Sequence, residues 1–154
     1  DGHAVLPEGM THLPDRAFRL RASLVSVAFP RSLVSIGSHA FTDCSSLSSI
    51  DLPVGLTSIG SGAFLYCSSL SRVNFPVTLT SIGKHAFDGC CSLASVTFPA
   101  SLTSIGRGAF ARCSTLASVT LPGLTSIGDW AFHRCSALTS VTFPAALTCV
   151  GEGA

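Results

Sequence analysis

A strict spacing of Ala-Phe pairs constrains what this chain can fold into more than any other feature. Successive pairs are 23 residues apart, except for the last, which follows after 22. The Phe residues of the pairs are Phe18, Phe41, Phe64, Phe87, Phe110 and Phe132. A fixed period of this length is typical of a solenoid, in which each unit packs only against its neighbours. We therefore expect a stack of coils and not a compact domain with one closed core.

Each unit divides into three short pieces. The segment from Ser95 to Phe98 alternates polar and apolar residues, so it predicts a half-buried main strand that ends at Pro99. The equivalent main strands are expected near residues 26 to 29, 49 to 52, 72 to 75, 118 to 121 and 140 to 143. A second, shorter extended piece follows and is expected to close at Gly106 in a left-handed turn. The apolar residues between Arg107 and Cys113 then fall at helical spacing, which predicts a single α- or 3₁₀-turn.

The repeat register changes once, at Gly123. This residue stands alone between Pro122 and Leu124, where other coils have two residues. Glycine has no side chain to clash, so it fits a tighter corner. The tighter corner accounts for the single spacing of 22 residues.

Two consensus segments carry a resemblance to a known family. They read Leu-x-x-Val/Ile-x-Phe/Leu and Ile-Gly-x-x-Ala-Phe-x-x-Cys-Ser-x-Leu, the second seen for instance from Ile59 to Leu70. Together they resemble the BspA-like class of leucine-rich repeats over essentially the whole chain, in five near-complete copies. The chain lacks the buried Asn that follows the strand in commoner leucine-rich repeats. The residues at that position are Ser32, Gly55, Thr78, Ser101 and Ala146.

The resemblance implies an α/β fold: a right-handed, strand-rich leucine-rich-repeat solenoid with a curved parallel sheet, short helical turns and a 23-residue repeat. We expect one leucine-rich-repeat domain over residues 1–154, with a partial unit at 1–18, five to six coils over 19–149 and a truncated unit at 150–154. Members of the class are typically cell-surface proteins of bacteria and mucosal protists, and several are adhesins. A cell-surface or secreted location is thus implied by the resemblance alone. The N-terminal residues lack a basic patch followed by an apolar core, so we expect either no signal peptide or a sequence that begins after one.

Composition and charge argue against several classes of partner. The formal net charge is +1 and the basic residues are scattered, so we expect no nucleic acid as partner. Apolar residues make up 47% of the chain, yet Ser, Thr, Gly or Pro interrupts them every few residues. No apolar run approaches the roughly 18 residues of a spanning helix, so we expect no membrane insertion.

The sequence also predicts no enzyme activity, no cofactor and no metal site. Five cysteines share one repeat position, and we interpret them as a column of buried, reduced thiols, because a straight column cannot surround a tetrahedral zinc ion. These are Cys44, Cys67, Cys90, Cys113 and Cys135. Cys91 and Cys149 replace Ser, and their redox state stays open. His39 and His85 share a slot two coils apart, at least about 9.5 Å, which is too far for one metal ion.

Positions that differ between coils on the outward strand face are the candidates for ligand contact. Three of them stand out from the Ser and Thr of other coils: Asp51, Arg72 and Asn74. One interpretation is a surface ion pair between Asp51 and Arg72 on neighbouring coils, worth about 0 to 1 kcal/mol. The other is a ligand-contact cluster on the concave face, and the sequence leaves both open.

Trp130 is the fourth candidate contact residue. It should project from the turn edge of its coil, close to Arg107, Arg112 and Arg134. An exposed Trp with Arg neighbours is typical of a binding hot spot. Packing of the ring over a neighbouring coil is an equally good interpretation.

These patterns favour a non-enzymatic leucine-rich-repeat scaffold that binds a protein or a glycan, with surface adhesion as the role implied by the resemblance. A purely structural spacer within a longer protein is the alternative. An ice-binding solenoid is a remote third, since Ser-x-Thr pairs recur in the last three complete coils while Asp51 and Arg72 interrupt the array. Both ends stop in mid-unit, so we also expect either further coils beyond Ala154 or end-to-end self-association.

Overall fold

The computed structural model describes residues 2–154, and Asp1 lies outside the described residues. All regular secondary structure in this range is β, in strands of two or three residues. No helix in residues 2–154 has the length and apolar character to cross a membrane. The three-residue strands are β1 His3–Val5, β3 Ser26–Ala28, β5 Ser49–Asp51, β7 Arg72–Asn74, β9 Ser95–Thr97, β11 Ser118–Thr120 and β13 Ser140–Thr142. The two-residue strands are β2 His12–Leu13, β4 Ser35–Ile36, β6 Ser58–Ile59, β8 Ser81–Ile82, β10 Ser104–Ile105, β12 Ser126–Ile127 and β14 Cys149–Val150.

The two-residue strands form a continuous seven-stranded parallel sheet in the order β14-β12-β10-β8-β6-β4-β2. Neighbouring strands pair residue for residue at the repeat spacing, as with Ile59 opposite Ile82. The apolar residue of each strand from Leu13 to Ile127 is only 2–3% exposed. This narrow sheet therefore holds the coils in register along the chain.

Six of the three-residue strands, from β3 to β13, confirm the predicted main strands, and β1 is a further strand that the sequence did not predict. Each of the six is one residue shorter than expected at its C-terminal end, where a proline without an N–H follows two residues after the strand. All of them pair in parallel, as Ser118 does with Ser95 on one side and Ser140 on the other. They form three separate sheets, β1-β3, β5-β7 and β9-β11-β13. Strands β3 and β5 lie side by side without a hydrogen-bonded ladder, and so do β7 and β9.

The predicted helical turn between Arg107 and Cys113 is wrong, and so is the α/β class: the fold is an all-β parallel solenoid. Gly108 and Arg112 have φ angles of +62° and +57°, which a right-handed helix does not contain. Alternate amides of this turn also donate to the following coil. These bonds are Gly108 N to Asp129 O at 2.8 Å, Phe110 N to Ala131 O at 2.8 Å and Arg112 N to His133 O at 2.7 Å. Every second peptide of the turn thus pairs with a neighbouring coil and not with its own.

Two glycines are required because the coils approach each other closely. Gly106 is not left-handed, contrary to expectation; a Cβ there would come within 2.7 Å of the backbone of Gly83 in the preceding coil. The left-handed residue lies two positions later, at Gly108. The tight corner at Gly123 is confirmed, since a Cβ there would collide with the carbonyl oxygen of Ala100. Steric room between coils, more than backbone freedom, therefore selects glycine at Gly106 and Gly123.

The rings of the Ala-Phe pairs form a continuous column through the core. Successive rings from Phe18 to Phe132 lie 5.1–5.9 Å apart between centroids, with interplanar angles of 2–16°. Phe29, Phe75 and Phe98, which follow main strands, pack edge-on against this column, as Phe98 does against Phe110 at 5.2 Å. One continuous apolar cluster results, running from Leu6 to Phe132. Each coil therefore completes its core with rings from the coils above and below it.

The five cysteines of the column are free thiols, four of them buried as expected, whereas Cys135 is half-buried. The fully buried members are Cys44, Cys67, Cys90 and Cys113. Each Sγ–H of the column donates to the carbonyl oxygen of a Phe in the preceding coil, as Cys90 does to Phe64 at 3.3 Å. Burial raises the pKa of Cys44 to about 11, and it also raises the pKa of Cys67 and of Cys90. The raised pKa values keep Cys44, Cys67 and Cys90 protonated while they connect the coils.

The final coil leaves apolar surface uncovered. Phe143 is 55% exposed, whereas Phe98 at the equivalent position is 1% exposed. Val150 is also 57% exposed, and a shallow apolar hollow of about 80 Å³ opens beside these two side chains and Phe132. This is the surface on which a further coil would stack.

We expect Phe98→Ala to lower the free energy of unfolding by about 3 to 5 kcal/mol, because it empties a fully packed site. The matched replacement Phe143→Ala should cost about 1 kcal/mol or less, since its ring is half in solvent. Urea denaturation of the two variants makes the comparison. Equal losses would contradict a core that is completed by stacking.

Adding one coil or a polar cap after Ala154 should raise the melting temperature and reduce self-association, because it covers Phe143 and Val150. Phe143→Ala should then become costly in the extended chain. Calorimetry and sedimentation measure the two effects. An unextended chain that is monomeric at high concentration, together with a melting temperature that the added coil leaves unchanged, would contradict this expectation.

The cysteine column can be tested at two adjacent residues. Cys90→Ala should cost about 1 to 3 kcal/mol, since it removes a buried hydrogen bond and leaves a small void. Cys91→Ala should change stability by less than about 0.5 kcal/mol, because Cys91 is exposed. Similar losses in denaturant unfolding of both variants would show that the buried thiol contributes nothing specific.

Stability should also fall at alkaline pH. Burial raises the pKa of the Cys44 thiol from its ordinary value of 9.0 to about 11 in the folded protein. Its contribution is therefore complete below pH 9 and is lost as the pH rises towards 11. Melting temperatures recorded from pH 7 to 11 should drop above pH 9, and less steeply in a Cys44→Ala variant. The same drop in both proteins would assign the effect to other groups.

Candidate ligand-binding site

The strand-face patch, which we define as Asp51, Arg72 and Asn74, is exposed on β5 and β7. The register of these strands places Asp51 opposite Asn74 and Ser49 opposite Arg72. The ion-pair interpretation of Asp51 and Arg72 is wrong, since no oxygen of Asp51 lies within 4.0 Å of the guanidinium among the described residues. The patch is a polar surface whose charged side chains are exposed to solvent.

Trp130 lies elsewhere, on the turn edge of a coil further along the stack. Its ring packs on the following coil, where a Cβ at Gly153 would come within 2.5 Å of it. The ring of His133 meets it edge-on, with centroids 4.9 Å apart and an angle of 85°. Packing over a neighbouring coil is therefore confirmed, and Trp130 is half-buried. The four candidate residues thus divide between two surfaces of the solenoid.

Trp130 lines a cleft of about 640 Å³, which we call the turn cleft. Its floor is Gly108 and Ala111, both buried, which belong to the middle one of three successive coils. The preceding coil supplies Lys84, His85 and Asp88, and the following coil supplies Trp130, His133 and Arg134. Arg107 and Arg112 complete the lining. Since coils in a parallel ladder are about 4.8 Å apart, the two walls are separated by roughly 9.6 Å.

The cleft exists because large and small residues alternate at one slot of the repeat. The slot two residues after Ile-Gly holds His39, Gly62, His85, Gly108, Trp130 and Gly153 in successive coils. All of them are left-handed, with φ between +55° and +65°. Each aromatic ring lies over the glycine of the next coil, as His85 lies over Gly108. The middle coil of the cleft therefore has no side chain of its own at this slot, where the imidazole of His85 takes the space, and Ala111 contributes only a methyl group beside it.

A buried carboxylate fixes one side of the cleft. Asp88 has a side chain that is only 3% exposed, and it accepts two hydrogen bonds from Arg112, Nε to Oδ1 at 2.8 Å and Nη2 to Oδ2 at 2.9 Å. Nδ1 of His85 donates to the same carboxylate at 2.9 Å. These hydrogen bonds to Asp88 raise the pKa of Arg112 above its ordinary value. Arg112 also lies over the Tyr66 ring, 5.2 Å from its centroid, so its guanidinium is held in place from two sides.

The remaining cations of the cleft have no such partner. The ion pairs found in residues 2–154 both involve Asp88, with His85 and with Arg112. Lys84, Arg107 and Arg134 are exposed and reach no carboxylate within 4.0 Å in that range. The cleft thus gathers four permanently basic side chains against one carboxylate, although the whole chain carries a formal charge of only +1. Positive charge is concentrated here.

The sequence predicted that Trp130 would lie near Arg107, Arg112 and Arg134, and the cleft brings all four together. Sequence reasoning missed Asp88 and the floor of the cleft. The alternation of aromatic residues with glycine at one slot was a signal that could have found it. That pattern becomes meaningful only when each coil is aligned with the next.

Two exposed Ser-His pairs were also missed. Nδ1 of His3 lies 2.7 Å from Oγ of Ser26, and His12 pairs with Ser35 in the same way. Both pairs join residues at the same slot of successive coils, 23 residues apart, so the repeat register accounts for them. No group of three or more His, Cys, Asp or Glu residues suited to a metal ion occurs in the part of the chain that the structure describes.

Comparison with known proteins agrees with this architecture. A leucine-rich-repeat protein of T. pallidum is 38% identical, with a TM-score of 0.93 over 97% of this chain and 73% of its own. A leucine-rich repeat protein of Eubacterium ventriosum is 25% identical, with a TM-score of 0.88 over 99% of this chain and 42% of its own. A leucine rich cell surface protein of Faecalibacterium prausnitzii shares the fold at 23% identity, with a TM-score of 0.57 over 93% of this chain and 59% of its own.

A search of curated proteins found no match. The model of the BspA type leucine rich repeat region matches residues 3–117 and 80–154, in six copies. These matches cover nearly the whole chain, including the three coils that build the turn cleft. The chain belongs to the BspA-type leucine-rich-repeat family.

Proposed function

We propose that this protein is a non-enzymatic scaffold that binds a protein or a glycan. One observation carries the proposal: the apolar residues that recur in the coils are buried, whereas most residues that line the turn cleft differ between coils and several of them are exposed. Repeat proteins bind through such variable surface positions. The turn cleft and the strand-face patch are the two surfaces that meet this description.

The residues of these surfaces suit ligand contact. Trp and Arg are enriched among the residues that dominate binding energy, and the turn cleft contains Trp130 with three arginines. The strand-face patch adds Arg72 and the polar side chains of Asp51 and Asn74, all exposed. A ligand large enough to wrap the turn edge and the strand face would contact both.

A role in adhesion at a cell surface is part of the proposal. The F. prausnitzii structure with the same fold is that of a cell surface protein, which supports such a location for this chain. A structural spacer is the alternative role, in which the coils only separate other parts of a longer protein. The aligned Ser and Thr of β9, β11 and β13 favour ice binding as a third role, although Asp51, Arg72 and Asn74 interrupt the array.

Binding to immobilised matrix proteins and to a glycan array tests the proposal. We expect saturable binding by the full chain and a loss of at least about tenfold for Trp130→Ala or Arg72→Glu, depending on which surface the ligand uses. Arg31→Glu makes the same charge change at an exposed position outside both surfaces and should bind normally. Melting temperatures confirm that each variant is folded.

Absence of binding to both panels would favour the spacer. Thermal hysteresis of the freezing point would single out ice binding, and we expect none. A binding signal that all three variants retain would place the contact surface outside the strand-face patch and the turn cleft.

A further inference from the structure

We propose that the turn cleft binds an acidic saccharide, with a sugar ring seated on Ala111 beside the rings of His85 and Trp130 and its carboxylate or sulfate group held by the unpaired cations. This inference rests on the proposed scaffold function and identifies the ligand class of one surface. The cleft volume of about 640 Å³ lies within the range of small-ligand sites and suits one or two sugar rings.

The charges of the cleft favour an anionic ligand. Arg112 is already committed to Asp88, so its guanidinium acts as a fixed wall. Arg107 and Arg134 belong to successive coils and are free to turn their donors towards the bound ligand. Guanidinium groups bind carboxylates and sulfates through paired charge-assisted hydrogen bonds. An uncharged ligand would leave this concentration of positive charge uncompensated.

The aromatic wall favours a sugar ring over a bare anion. Trp130 packs on Gly153 of the following coil, meets the ring of His133 at a right angle and also lines the cleft. The electron-rich face of an indole attracts the polarised C–H bonds of a pyranose ring. The floor beneath presents a single methyl group at Ala111, and the imidazole of His85 covers Gly108 beside it, so a flat ring would meet only small or planar side chains.

The backbone argues against an acidic peptide. Extended peptides commonly bind by adding a strand to free amides and carbonyls. In the cleft the amides of Gly108 and Arg112 already donate to Asp129 and His133 of the next coil, at 2.8 and 2.7 Å. Recognition must therefore use side chains alone, through a cationic rim and an aromatic wall.

The chain contains a single Trp, so its fluorescence reports on the cleft directly. We would titrate the full chain with a sulfated heparin disaccharide and with a glucuronate-containing hyaluronan disaccharide, which separate sulfate from carboxylate. The comparison probes are neutral chitobiose, sodium sulfate and hexaglutamate. We expect a saturable fluorescence change with at least one acidic disaccharide, and affinities at least about tenfold weaker for the three comparison probes.

Two variants locate the site. Ala111→Leu fills the floor without changing charge, using the residue that Leu65 already supplies at this slot, and Arg107→Glu reverses one cation. Each should weaken disaccharide binding at least about tenfold, whereas Arg31→Glu should leave it unchanged. Calorimetric titration gives the affinities, and melting temperatures show that the variants fold.

Several results would overturn the inference. If sodium sulfate bound as tightly as the disaccharides, the cleft would be a general anion site. If hexaglutamate did so, the cleft would bind acidic peptides. The cleft would not be a saccharide site if neither acidic disaccharide bound, or if Ala111→Leu and Arg107→Glu left the affinity for the disaccharides unchanged. The proposed scaffold function would still stand after such results if the chain bound an immobilised protein and if Arg72→Glu weakened that binding.

Discussion

The pairing of each coil with the next, residue for residue across 23 positions, is the interaction on which the rest of the structure depends. Within the turn, Phe64 donates its amide to Ala86 at 2.7 Å, and the rings of Phe64 and Phe87 stack 5.1 Å apart. The thiol of Cys90 then bonds back to the carbonyl of Phe64. No coil has a core or a complete set of hydrogen bonds by itself, so stability is a property of neighbouring pairs.

Much of this fold could be predicted because the period alone determines which residues become neighbours. The main strands, the Phe column and the buried thiols all follow from it. The prediction of a helical turn failed. Ala109, Phe110 and Cys113 have the spacing of a helix, but alternate amides of this turn donate to another coil and not within the turn. The role of Gly106 was misjudged for a related reason, because its constraint is the backbone of Gly83 and no local pattern reveals it.

The candidate site shows the same limit. Trp130 and its arginines were foreseen from their slots, but the cleft between them is an empty space, produced by the small residues Gly108 and Ala111. An empty space becomes visible only when three coils are placed side by side. Asp51 and Arg72 were expected to pair from coil adjacency, yet the strand register sets Asp51 opposite Asn74. Specific contacts between outward residues thus depend on positions along the strand as well as on the repeat.

The coil-to-coil hydrogen bonds of the turn can be tested most directly by amide hydrogen exchange at His85 and Gly108. Their amides donate to Arg107 and Asp129 of the next coil, both at 2.8 Å. In a helical turn starting at the preceding Gly, these amides would lie in the first turn and have no acceptor within the helix. The account predicts that both exchange as slowly as the amides of Phe87 and Phe110. Exchange at the rate of free amides, with the Phe amides still protected, would contradict it.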